Sequence, residues 1–272
     1  MFERLKYKNH VNEVIDFGVD GVFVNINALH DYEWKATSQG NKVSKLSRSV
    51  QTRKLPVIIM CATEEEGIAT RNKLFETFEK DVLALQHGQI IIGDYYFRCF
   101  VTKSVKSDYQ KSQRYMYLTL TLTSDYPFWV NESMKTFGVS NQTGEGLDYP
   151  FDFAFDYFTD VASTALNNTA FVASNFKMIV YGPCSNPAIT IAGHTYQVDC
   201  TIGDSEYLTI DSTTKKIFII KNDGSTVNCF NNRNKESYIF EKIKPGNNAV
   251  TWTGDDGFDV ILMEERSDPK WI

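Results

Sequence analysis

From Tyr115 to Leu122 the chain alternates without a break. Met116, Leu118, Leu120 and Leu122 fall on one side, and Tyr117, Thr119 and Thr121 on the other. A period of two belongs to a strand, whose successive side chains point to opposite faces. One face is buried and the other is wet or in contact, which suits an antiparallel sandwich or barrel better than a parallel sheet covered on both sides. Tyr95 to Val105 reads as the partner of this strand across the polar turn Lys106–Arg114, and Val22 to Ile26 and Leu55 to Met60 are further β-branched runs. The 19 Phe and 14 Tyr point the same way, because rings fit a pleated surface.

One segment breaks the pattern. Thr63 and Glu66 have the capping-box spacing, and Glu64 and Glu65 suit the positive end of a helix dipole. Ile68, Phe75, Phe78, Val82 and Leu85 then recur at helical steps, so the spacing predicts a helix that buries this stripe on the sheet and ends near Gln86–Gly88.

After Gly138-Val-Ser-Asn-Gln-Thr-Gly-Glu-Gly146, a polar Gly-rich run, the chain becomes more acidic. Residues 1–140 hold 18 basic and 16 acidic residues, a net of +2; residues 141–272 hold 10 and 18, a net of -8. Strands are expected at Phe176 to Tyr181, Ala188 to Ile191, Thr195 to Ile202, Tyr207 to Ile210, Lys216 to Lys221, Tyr238 to Ile243, Ala249 to Trp252 and Phe258 to Met263. Turn signals at Asn222–Gly224, Pro245–Asn248 and Gly254–Gly257 separate them, the pattern of a two-sheet sandwich. The expected division is residues 1–140, a linker and aromatic tract at 141–158, and a β-sandwich at 159–272.

Several chemistries find no signature. The five Cys form no CxxC pair, the four His form no HExxH, and there is no GxSxG, Walker A or GxGxxG motif. Neither a cofactor nor a metal is expected. No apolar stretch has the length of a membrane span and the first residues lack a signal-peptide core, so no membrane insertion is expected. A formal charge of -6 argues against a DNA-coating protein.

Three stretches, in order, carry a resemblance. They are Leu147-Asp-Tyr149-Pro150-Phe151-Asp152-Phe153-Ala-Phe155-Asp156-Tyr157, then Ile179-Val-Tyr181-Gly182-Pro-Cys-Ser-Asn-Pro-Ala-Ile189, then Glu265-Arg266-Ser267-Asp-Pro269-Lys-Trp271. Together with the strand–helix–strand order of the first half, they resemble the distal tail protein (Dit) family of siphophages that infect Gram-positive bacteria. Asp268 stands where Glu is common in that family. The resemblance implies a tail-tube-like β-sandwich or split barrel with one flanking helix, followed by a galectin-like β-sandwich. It implies a structural role at the virion tail tip, after synthesis and assembly in the bacterial host cytoplasm. Six copies would close a ring that joins the tail tube protein to the tail-associated hub protein. Tape measure and DNA would pass through its channel, and receptor-binding proteins would dock nearby. A chain of this length leaves no room for the inserted arm or carbohydrate-binding module of larger relatives.

The residues leave alternatives open. Lys35, Lys42, Lys45, Arg48, Arg53 and Lys54 lie in a polar segment with no acidic residue between Glu33 and Glu64, read either as a solvated loop or as an oligomer or channel contact. The rings of Tyr149, Phe151, Phe153, Phe155 and Tyr157 share one strand face, either plugged into an interface or offered to a sugar. Asp152 and Asp156, on the other face, are roughly 13 Å apart as strand neighbours four residues on, too far for a glycosidase pair. Trp271 is expected to bury its ring and anchor the C-terminus, so that truncation after Glu265 weakens the C-terminal domain. A carbohydrate-binding module that recognises wall polysaccharide is the main rival, and a glycosidase the lesser one.

Overall fold

The computed structural model describes residues 4–19, 21–24, 28–107, 112–138, 165–253 and 257–271. The chain is mainly β, in antiparallel sheets, with one α-helix among the described residues. It divides into two compact units: Met1–Asn131 with Glu265–Ile272, and Glu132–Glu264. The linker and aromatic tract expected at 141–158 lie outside the described residues.

Unit 1 contains β1 (Leu5–Lys8), β2 (Val14–Asp16), β3 (Val22–Val24), β4 (Lys35–Gln39), β5 (Lys42–Ser47), β6 (Gln51–Met60), α1 (Glu64–Ala84), β7 (Gly88–Ile92), β8 (Tyr95–Ser107), β9 (Tyr115–Ser124) and the start of β10 (Trp129–Phe137). Strands β2, β1, β7 and β8 pair in that order, and β3, β6, β9 and β8 form a second run that shares β8. The long β8 serves both because a register shift between Val101 and Lys103 bends it. Met116, Leu118, Leu120 and Leu122 of β9 are buried with Leu55, Val57 and Ile59 of β6, as the alternation requires.

The helix begins as expected, with both capping-box bonds made at Thr63 and Glu66, and Leu85 ends it in the left-handed region at φ 51°. Its buried face differs from the expected stripe. Gly67, Leu74, Thr77, Phe78 and Asp81 are buried, whereas Ile68, Val82 and Leu85 are exposed and Phe75 is only partly covered. Two contacts turn the helix. Gly67 lies against the Gln113 carbonyl, where no β-carbon fits. Asp81, fully buried, accepts from the Tyr7 hydroxyl at 2.5 Å and the His10 backbone N–H at 2.9 Å, and its other contact is the His10 ring Nδ1 at 2.5 Å. A polar anchor thus outweighs the apolar row, because a buried carboxylate must find partners.

Unit 2 continues β10 and adds β11 (Ala165–Asn168), β12 (Asn175–Tyr181), β13 (Cys184–Ser185), β14 (Ala188–Ile191), β15 (His194–Gln197), β16 (Thr201–Ile202), β17 (Tyr207–Asp211), β18 (Lys216–Ile220), β19 (Thr226–Asn228), β20 (Gly246–Thr253) and β21 (Phe258–Arg266). One sheet runs β19-β18-β17-β12-β21 and another β11-β20-β14-β15. Between them Phe176, Met178, Val180, Ile189, Ile191, Leu208, Ile210, Val250 and Val260 form the core of a sandwich. Tyr238 to Ile243, expected as a strand, is irregular. Its Ile239, Phe240 and Ile243 are buried, but a single bridge, Ser174 to Ile243, is its only sheet-like pairing among the described residues. Apolar side chains plug the core here without a ladder.

Candidate assembly surfaces

The segment read as a loop at Lys35 to Lys54 is a β-hairpin followed by the start of β6. β4 and β5 pair only with each other, across Gly40 at φ 60°, and every residue from Lys35 to Leu46 is exposed. The Gly-Asn dipeptide between Gln39 and Lys42 is a hairpin signal that the sequence offered, masked by a polar composition of low strand propensity. An isolated two-stranded ribbon is marginal in water. Its root is nevertheless tied down. The Arg48 guanidinium donates to the Pro127 carbonyl at 2.6 Å and lies 4.7 Å from the Phe128 ring and 5.0 Å from the Trp34 ring. Gln51 donates to the Glu33 carbonyl at 2.6 Å. The arm beyond carries Lys35, Lys42 and Lys45 with the open apolar side chains Val43 and Leu46.

Arg53 does not belong to this surface. It is 4% exposed, donates to the Leu29 carbonyl and lies 4.4 Å from the Phe97 ring. Burial pushes its pKa down to about 10, still charged at neutral pH, and makes it a core cation held by rings. Lys54, the next residue, points to the opposite face of β6 and is exposed.

That face forms a second surface. Its rows cross β6, β9 and β8 in register: Lys54, Thr121 and Lys103; Pro56, Thr119 and Val105; Ile58, Tyr117 and Ser107. Thr123 and Thr102 add two hydroxyls hydrogen-bonded to each other at 2.7 Å. No carboxylate stands in these rows. The polar half of the alternation in β9 is therefore part of a mixed sheet face, with hydroxyls and two lysines set among Pro56, Ile58 and Val105.

The C-terminal motif folds back on unit 1. The Tyr126 hydroxyl donates to Glu265, Arg266 Nε donates to the Asp268 carbonyl at 3.1 Å, and Ser267 is half-buried in the bend. Pro269 is buried. His30 hydrogen-bonds Asp268 through Nδ1, and the Trp271 ring stacks on His30 at 4.0 Å while its Nε1 donates to Asp268 at 3.1 Å. Trp271 stays 73% exposed, so its ring anchors by stacking rather than by the expected burial. The anchor also serves unit 1 rather than the C-terminal domain. Truncation after Glu265 should accordingly lower the melting temperature of unit 1 by several degrees, about 1–2 kcal/mol of lost hydrogen bonds and burial. An unchanged melt, or one in which only unit 2 suffers, would contradict this.

In unit 2, Tyr181 donates its hydroxyl to Asp259, whose carboxyl burial holds above the usual range. Gly182 lies against the Gly203 carbonyl, where no β-carbon fits, and precedes a cis proline. A cleft of about 340 Å³ is lined by Ser133, Lys135, Asn167 and Asn247 with Met134, Ala165, Leu166 and Leu262. Tyr149, Pro150, Phe151, Asp152, Phe153, Phe155, Asp156 and Tyr157 lie outside the described residues. Among the described residues no helix is long and apolar enough to cross a membrane.

These features define a class: a two-unit, mainly β scaffold whose distinctive exposed parts are an arm, a sheet face and a clasped terminus. No protein-family model and no curated protein matches the sequence. Solved structures do match in fold. The chain superposes on the SPP1 Dit protein, a paradigm of the hub adsorption apparatus in phages that infect Gram-positive bacteria, with a TM-score of 0.60 at 11% identity, over 98% of this chain and 100% of that one. It is also similar to a chain of the phage P2 baseplate in its activated conformation with Ca, with a TM-score of 0.63 at 13% identity over 99% and 100%. The P2 baseplate with Sr gives the same values. The described residues have the Dit-like fold.

Proposed function

We propose that this protein is the distal tail hub of a phage or prophage tail, a structural part rather than an enzyme. The observation that carries the reading is the end-to-end likeness to the SPP1 hub protein and the P2 baseplate chain, with neither protein left uncovered. Six copies close a ring by a heterologous contact, as a cyclic assembly requires. The β4–β5 arm reaches the neighbouring copy, which supplies the support the ribbon lacks in a single chain. Val43 and Leu46 on the arm, and Ile68, Val82 and Leu83 on the open side of α1, are apolar surfaces that such a contact covers. The Lys54–Thr121–Lys103 face lines the channel. Phosphates in transit meet hydroxyls, two lysines and a few apolar side chains: no carboxylate in these rows repels them, and the positive charge is too sparse to hold them.

The ring joins the tail tube protein on one side to the tail-associated hub protein on the other, with tape measure, DNA and receptor-binding proteins as further contacts. The site of action is the virion tail tip, after assembly in the host cytoplasm. Gold-labelled antibody against the protein should decorate the tip of purified tails. Label along the tube, on the head, or absent from tails would refute the reading.

A further inference from the structure

Three of the five cysteines converge in unit 2. β13 and β16 pair in the register Cys184 to Ile202 and Ser185 to Thr201, and the Asn186 N–H donates to the Cys200 carbonyl at 2.8 Å. Cys184 and Cys200 therefore occupy one face of this strand pair. A second set of bonds fastens the Cys200 segment to the turn at Cys229. The Asp199 N–H donates to the Asn232 carbonyl at 2.7 Å, Asn232 Nδ2 donates to the Asp199 carbonyl at 3.0 Å, and the Asn232 N–H reaches the Cys229 carbonyl at 3.0 Å. Within this frame the Cys229 side chain belongs to the sandwich core and Cys200 packs against that same core, near enough for each thiol to perturb the other, while the Cys229 thiol donates to the Val227 carbonyl at 3.6 Å. Cys229 is 3% exposed, and Cys200 is half-buried against the same core.

Two neighbouring thiols can share a metal ion or a covalent bond. A metal needs further ligands, and among the described residues no group of three His, Cys, Asp or Glu side chains is arranged to hold one. We propose that Cys200 and Cys229 are a cross-linking site, which closes to a disulfide when the protein meets a small disulfide oxidant outside reducing surroundings. Cys200, the more exposed of the two, attacks the oxidant as its thiolate and forms a mixed disulfide, releasing one small thiol. Cys229 then attacks the Cys200 sulfur and releases the second. The two protons lost by the cysteines end on the two released thiols, and the oxidant takes both electrons. The bond closes the loop from 200 to 229, which contains β16, β17, β18 and β19, and pins it to the core of the sandwich.

Burial, followed by the neighbouring thiols, pushes the Cys200 pKa up to about 12. Little thiolate exists at neutral pH, so the reduced pair is long-lived until oxidant is present. The chemistry belongs to unit 2 alone and does not rest on ring assembly.

The test is to incubate the full-length protein with oxidised glutathione under native conditions and map its peptides. The expected product has lost the two thiol hydrogens and yields a peptide pair linked through Cys200 and Cys229. Cys200→Ser and Cys229→Ser should abolish that pair, and Cys184→Ser should leave it. Its rate of formation should climb about tenfold per pH unit between pH 7 and 9. The unit 2 melt of the oxidised wild-type protein, which needs no substitution, should rise by about 5–10 °C over the reduced form. A lasting glutathione adduct on Cys200, a Cys184–Cys200 link instead, or an oxidised form that melts no higher would overturn the proposal.

Discussion

Replacing Lys35–Ser47 with a short turn should leave a folded monomer that no longer assembles. The arm contributes nothing to either core: β4 and β5 pair with no other strand, and the residues from Lys35 to Leu46 are all exposed. Its removal therefore costs unit 1 little, and the melting temperature should stay within about 2 °C, as for surface changes away from a core. Assembly is another matter. A two-stranded ribbon with open Val43 and Leu46 gains stability when something covers it, and in the proposed ring that would be the next copy. Size-exclusion chromatography with light scattering reads the outcome directly. Rings of normal size from the deleted protein would remove the arm from the interface. The milder pair Val43→Lys and Leu46→Lys should weaken assembly in the same direction and spare the fold.

Asp81→Ala should be the most damaging single change in unit 1. The carboxylate is fully buried and holds the Tyr7 hydroxyl and two atoms of His10. Burial first, and the bond to Asp81 next, hold the Tyr7 phenol well above its ordinary range, so Tyr7 is a committed donor. Without Asp81, the buried Tyr7 O–H and the part-buried His10 backbone N–H lose their acceptor. Each orphaned donor costs about 1–3 kcal/mol, and the loss of the whole cluster about 3–5 kcal/mol. That corresponds to a fall of roughly 10 °C or more in the unit 1 melt. Gly88 packs against this pair with no room for a β-carbon. Asp81→Asn, which keeps an acceptor, should lose less than the alanine variant. A melt within about 2 °C of wild type for Asp81→Ala would show that the cluster contributes nothing to the anchoring of α1.

The sequence was most legible where a single period ruled. β9 could be read from its alternation, and the start of α1 from Thr63 and Glu66, because both signals are local. It was least legible where a polar group decided the packing. Of the stripe Ile68, Phe75, Phe78, Val82 and Leu85 only Phe78 is fully buried, and Asp81 faces inward beside it because Tyr7 and His10, more than seventy positions earlier, supply its partners. No local pattern encodes that pairing. Arg53 and Lys54 teach the same lesson. Adjacent and both basic, they fall on opposite faces of β6, so one is a core cation and the other a surface charge. The β4–β5 arm lacked the apolar alternation that marks most strands, since neither of its faces is covered in the single chain. Trp271 found a partner, but in His30, which no spacing links to the C-terminus.

The absolute mass of the purified protein in solution, with negative-stain images of the same fraction, is the most direct test of a ring-forming hub. Six copies of a 31.1 kDa chain give a particle of roughly 190 kDa. The expected result is that mass, and a six-fold outline with a central hole. A monomer at every accessible concentration, or a compact dimer with no channel, would contradict it.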